Sequence, residues 1–290
     1  MTSPAPTAAP TARAAATTPA APGVLGAGIR AIGLELRAYF RVPDVVFFTF
    51  LFPVLMLGIF ASAFQSMGDV GELPDGTGGV SFAAYYLPGL LAAGIMLSGV
   101  QNPAIDIVRE RHEGWLRRLG ATPLSPVSYF IGKAGVTVVT ALLQAALLLG
   151  VAVVAFGVEL PTDPALWLRF AWLFALGMGT MTLLGIALSA LPRSSRSASA
   201  VVIPIVLVLQ FISGVYLQFS LLPDWLQNIA SVFPLKWLAQ GMRSVFLPEH
   251  FAAAETGGSW GLGLVALNLA VWLVVGLVVA RFTFRWQRRS

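Results

Sequence analysis

The sequence predicts an all-α polytopic membrane protein. It has six transmembrane helices, an interfacial helix ahead of the first, a charged cytoplasmic helix after the second, and two short re-entrant helices on the extracellular side after the fifth. Three observations lead there. Of 290 residues, 57% are hydrophobic and only 11% charged, whereas soluble domains carry about 25% charged residues. Mean hydropathy is +0.80. Finally, the apolar residues fall into six stretches long enough to cross a bilayer core, which takes about 20 residues at 1.5 Å each. This composition excludes most soluble enzymes and general disorder. The absence of cysteine removes disulfides, thiolate metal sites and cysteine nucleophiles.

The predicted spans are Val45–Phe64, Phe82–Gln101, Ala134–Phe156, Phe170–Leu191, Ala200–Phe219 and Trp260–Ala280. Pro204 and Gly214 in the fifth are tolerated where neighbours satisfy the freed backbone groups. Residues 1–23 are Ala/Pro/Thr-rich with one charge, Arg13. They lack the apolar core of a signal peptide and are expected to be a disordered tail, so 24–290 forms the membrane domain. Basic residues resist translocation. With the N-terminus in the cytoplasm, fifteen of the eighteen basic residues lie inside. Only Lys236, Arg243 and the boundary residue Arg169 lie outside. Both termini are therefore expected in the cytoplasm, in a multi-pass protein of the cell membrane.

The connecting segments are more individual. In Val24–Val42, Arg30, Arg37 and Arg41 fall within about 20° of one line at 100° per residue, opposite Leu25, Ile29, Ile32, Leu36 and Tyr39. Such a helix lies in the interface plane against anionic lipid, as an anchoring ramp or as a transmitter touching a cytoplasmic partner. Asp106–Leu124 holds Asp106, Arg109, Glu110, Arg111, His112, Glu113, Arg117 and Arg118 around Trp115, Leu116 and Leu119. The pairs Arg109/Glu113 and Glu113/Arg117 support a short helix. A tryptophan among arginines suits a docking anchor, although basic residues alone would serve topology. Outside, Asp224–Phe233 and Leu235–Phe246, separated by Pro234, are too short to cross. They fit re-entrant or surface helices, with Trp225 and Trp237 placed as interface residues.

Several chemistries have no residues to support them. His112 and His250 lie in loops, which leaves no histidine pair for a haem and makes a Ser/His/Asp constellation improbable. Gly132-Lys133 lacks the spacing of a phosphate loop, so the chain has no P-loop site for ATP. The acids Asp69, Glu72 and Asp75 sit among glycines as a solvated loop, and no metal site is expected. The predicted span interiors offer only Ser, Thr and amides such as Gln144 and Gln210, which usually bond helix to helix. Any uphill transport then needs energy from another polypeptide.

Three stretches resemble the type-2 ABC exporter permeases, in particular those of daunorubicin-type multidrug exporters. They are Tyr86-Leu-Pro-Gly-Leu-Leu91, the loop from Arg109 through Thr122-Pro123 to Gly132-Lys133, and Ser213 onward through Leu222-Pro-Asp-Trp-Leu, Phe233-Pro-Leu and Met242-Arg243. In the loop, Glu110, Gly114, Thr122 and Pro123 match the family pattern, while His112, Trp115 and Arg117 depart from it. The resemblance implies a permease subunit that is not itself an enzyme. It would work with two ATPase subunits that carry ATP and Mg, and with a second permease copy in a homodimer. Membrane lipids complete the partners, and nucleic acid is not among them. It makes the loop the coupling helix, with Glu110, Arg111, Glu113, Gly114, Trp115, Thr122 and Pro123 as coupling residues. It places Met96, Leu97, Val208, Gln210 and Phe211 along the translocation pathway, which suits hydrophobic or amphipathic cargo. Pro223, Trp225, Pro234 and Lys236 fall in an extracellular re-entrant gate. A permease for lipid-linked glycans or other lipids, and an ATPase-independent membrane enzyme or scaffold, remain as alternatives.

Overall fold

The computed structural model describes residues 24–73, 77–115, 118 and 126–283. The expected tail 1–23, Asp75, Leu116, Arg117, Leu119, Thr122 and Pro123 lie outside them. Among the described residues the chain is helical, apart from one antiparallel bridge between Val70 and Val80. Six helices are long and apolar enough to span a membrane.

Helix α1 (Val24–Tyr39) leads into the first span, α2 (Pro43–Phe64). Pro43 opens α2 because the missing N–H of a first-turn proline costs nothing there. The second span begins at α3 (Phe82–Met96), capped by Ser81, whose Oγ accepts from the Ala84 amide at 3.3 Å. It then passes through a π-helical turn, Leu97–Gln101, into α4 (Asn102–His112). A Cβ on Gly99 in this turn would lie 2.7 Å from Met181 Cβ, and one on Gly185 would lie 2.4 Å from Gly99 O. Two helix backbones therefore touch there, and only glycine fits.

The third span, α5 (Pro126–Phe156), has 31 residues, about 46 Å at 1.5 Å per residue. The fourth, α6 (Pro164–Leu188), is capped by Asp163, which accepts from the Ala165 amide at 2.8 Å. The fifth, α7 (Ser195–Ile212), starts from a reciprocal Ser194/Ser197 capping box. The short α8 (Asp224–Ala230) and α9 (Pro234–Phe246) follow, and α10 (Leu262–Thr283) is the sixth span.

The helices of the third, fourth and fifth spans begin five to eight residues before their expected starts, at Pro126, Pro164 and Ser195, and two ends differ more instructively. The second span was expected to end at Gln101, but its helix continues to His112, because Pro103 falls in the first turn of α4 and lets the helix resume. The fifth was expected to reach Phe219, but it stops at Ile212, and Gly214 adopts φ +76. Val215, Tyr216 and Phe219 stay apolar because they are buried in the protein.

The core centres on the second span, packed against α2, α5, α6 and α9. Helix α7 lies at the edge with much of its apolar surface uncovered. Helices α6 and α10 run together, joined by Thr180 Oγ1 donating to Leu269 O at 2.9 Å.

Candidate functional site

The two ends of the bundle carry different polar structures. At the basic end, where α1, the tail of α4 and the first turns of α5 meet, Lys133 of α5 is buried. Its Nζ donates to Glu35 Oε2 of α1 at 2.9 Å and to Glu110 Oε1 of α4 at 2.5 Å. Tyr129, one turn earlier on α5, donates its hydroxyl to the other Glu110 oxygen at 2.6 Å. Asp106 adds a third carboxylate to the field of Lys133. A lysine inside an apolar helix demands such partners, since an uncompensated buried charge is strongly disfavoured.

The seven predicted coupling residues divide between the interior, the surface and the undescribed segment. Glu110 faces inward to Lys133 and Tyr129. Arg111 donates to the carbonyls of Ser189 (3.0 Å) and Pro192 (3.2 Å), holding the tail of α4 against the end of α6. Glu113 is exposed and pairs with Arg109 at 3.0 Å, the predicted i,i+4 contact. Gly114 takes φ +75, the left-handed conformation that ends a helix. Trp115 then stands 49% exposed, large and uncovered. Thr122 and Pro123 fall in the undescribed segment.

The five pathway residues also separate. Met96, Leu97 and Gln210 are buried within the chain. Gln210 Oε1 accepts from the Tyr216 hydroxyl at 2.7 Å. Val208 (57% exposed) and Phe211 lie on the open face of α7 with Ile203 and Leu207. The second predicted amide, Gln144, is buried against Gly94 of α3, and neither of its polar atoms has a hydrogen-bond partner.

At the opposite end, α8 and α9 behave differently. Pro223 and Trp225 are exposed on and beside α8. Helix α9 is buried from Pro234 through Val245, sunk between α3, α6 and α10. Its polar side chains find partners inside. Gln240 donates to Trp260 O at 2.9 Å, and Arg243 pairs with Glu255 and donates to Gly214 O at 3.1 Å. Lys236 is fully buried. It bonds Gln240 and lies over the rings of Trp237 (3.9 Å) and Phe219 (4.9 Å). Burial pushes its pKa down to about 8, an effect that Glu255 opposes and Arg243 reinforces. Burial likewise raises the Tyr39 phenol of α1 to about 12.

Sequence reasoning passed over Glu35, Tyr129 and the Arg243–Glu255 pair. The available clue was Lys133 itself, one of only two lysines, placed within the first turns of an apolar helix where an acid has to meet it. No clue of that kind marks Glu255, which reaches Arg243 through the fold.

Residues 72–282 match the ABC-2 family transporter proteins. A Cyanophora paradoxa protein named as a transport permease, ycf38, is 26% identical over 242 residues, covering 82% of this chain and 79% of its own length. An Escherichia coli protein named as a multidrug ABC transporter permease, YbhR, is 24% identical over 178 residues, 61% of this chain and 48% of its own. This chain thus spans about half the length of that relative. A Bacillus subtilis protein named as a transport permease, YvfS, is 23% identical over 204 residues, with coverage of 69% and 77%.

Proposed function

The chain belongs to the ABC-2 family of transporter proteins, and on that premise we propose that it is the membrane-spanning subunit of an ATP-driven exporter of hydrophobic or amphipathic compounds. Permeases of this family work with an ATPase subunit. In this reading a separate chain hydrolyses ATP, two copies of it dock at the basic end, and that end faces the cytoplasm of the cell.

The observation that carries the reading is the course of the second span. It leaves the core as one helix, crosses a π turn, and ends in a charged tail with Trp115 exposed just beyond. Its far end, by contrast, packs against α9. A displacement imposed at Trp115 therefore has a stiff path to the opposite cap. ATP binding would favour one of two arrangements and hydrolysis would release it, as a ligand shifts a two-state equilibrium only through different affinities for the states.

The exposed stripe Ile203, Leu207, Val208 and Phe211 on α7 suits a second copy of the chain, with cargo moving along the seam. An apolar seam favours drug-like or lipidic compounds, although a lipid-linked glycan would also present lipid to it. The name of the Escherichia coli relative supports the multidrug version. Co-purification with a phosphate-loop ATPase encoded beside this chain, followed by ATP-dependent transport in reconstituted vesicles, tests the reading. A chain that purifies without any ATPase and transports without ATP would overturn it.

A further inference from the structure

The basic-end charge cluster joins parts of the chain that sequence distance would leave independent. Glu35 lies on the interfacial helix, Glu110 on the tail of the second span and Lys133 on the third span. Around Lys133, α1 is fitted tightly to α5. A Cβ on Gly132 would lie 2.9 Å from Ala31 Cβ, and one on Gly135 would lie 2.3 Å from Ile32 Cγ1. Ser128 Oγ donates to Val24 O at 2.9 Å, closing the other end of that contact. The tail of α4 is tied to α1 through Lys133, with Tyr129 holding the second Glu110 oxygen.

We propose that Lys133 is a positioning residue that locks the interfacial helix to the tail of the second span, so that a push received at that end moves both as one body. The inference rests on the permease reading above and adds to it the side chain through which motion is shared. Two charge-assisted bonds to carboxylates on separate helices resist sliding in a way that apolar packing does not, because shifting one helix by a turn would leave a buried charge unpaired. Three carboxylates, Glu110, Glu35 and Asp106, act on this one lysine, so removing it leaves the cluster with a surplus of negative charge.

The test uses the full chain reconstituted with its ATPase. The chain has no cysteine, so Ser220→Cys, at an exposed position on the cap end, gives a single reporter. The rate of its modification by a membrane-impermeant maleimide is read with ADP and with ATP plus vanadate. Lys133 as it stands should give a nucleotide-dependent change of about fivefold or more. Lys133→Met should reduce that change to within twofold while the ATPase still co-purifies, and Lys133→Arg should restore it. A full nucleotide response in Lys133→Met overturns the proposal. If Lys133→Met does not fold, Glu35→Gln, which breaks only the α1 half of the tie, should at least halve the response; an undiminished response there overturns the proposal equally. A chain with Lys133 intact that binds the ATPase yet shows no nucleotide response contradicts the permease reading itself.

Discussion

The chain has two lysines and buries both, at opposite ends of the bundle and in opposite surroundings. Lys133 meets Glu35 and Glu110, from helices 98 and 23 residues away in sequence. Lys236 bonds Gln240, one turn along its own helix, and leans on two aromatic rings. The first is a connection between elements. The second is a charge kept inside one element without a bonded carboxylate. The difference teaches that burying a cation does not by itself define a role. What matters is whether its partners lie on separate moving parts.

Four substitutions sharpen or break this contrast. Lys133→Ala should carry the largest stability effect, about 3–5 kcal/mol, because it strands two carboxylates. Thermal unfolding in detergent measures it, and a loss under about 1 kcal/mol would mean that the carboxylates find other partners. Gly185→Val should cost about 1–3 kcal/mol by driving a side chain into the backbone of the π turn. The same unfolding assay reads it, and a neutral result would show that the second and fourth spans separate easily.

Lys236→Met should leave stability at neutral pH unchanged or raise it, since a buried charge gives way to an apolar isostere. Its signature is in the pH dependence. With the lysine pKa pushed down to about 8 from 10.5, the unfolded chain binds the proton more tightly than the folded one. The penalty is therefore full below about pH 8 and fades as pH rises from there towards the ordinary lysine range. The stability of the unaltered protein should climb over that window, and the climb should vanish in Lys236→Met. Finally, Trp115→Ala should shift stability by no more than about 0.5 kcal/mol, as expected for an exposed site. It should nonetheless weaken ATPase binding about 30-fold, matching about 2 kcal/mol for a buried aromatic anchor.

The architecture was legible because a bilayer imposes length and apolarity on every crossing helix, so six stretches declared themselves. The pattern was weaker where apolar residues serve protein rather than lipid. Val215 to Phe219 reads as a continuation of the fifth span, yet the helix has already ended and those residues fill the cap. The same ambiguity concealed how differently α8 and α9 are placed. In the charged segment, the Arg109–Glu113 pair followed from helical spacing. Spacing could not show that Glu110 turns inward to Lys133 and Tyr129, because that contact is made between helices. The buried span and the open one were equally hidden. In its most apolar stretch the second span is 83% buried and the fifth 22%, although both are apolar enough to cross a membrane.

The account turns on the basic end being where an ATPase drives the spans. The most direct measurement is ATP-dependent uptake of a fluorescent lipophilic compound into inside-out vesicles holding the chain and its ATPase, with and without Trp115→Ala. The account predicts uptake that requires ATP and falls at least tenfold in the folded Trp115→Ala protein. Uptake that continues without ATP, or that is undiminished by Trp115→Ala, would contradict it.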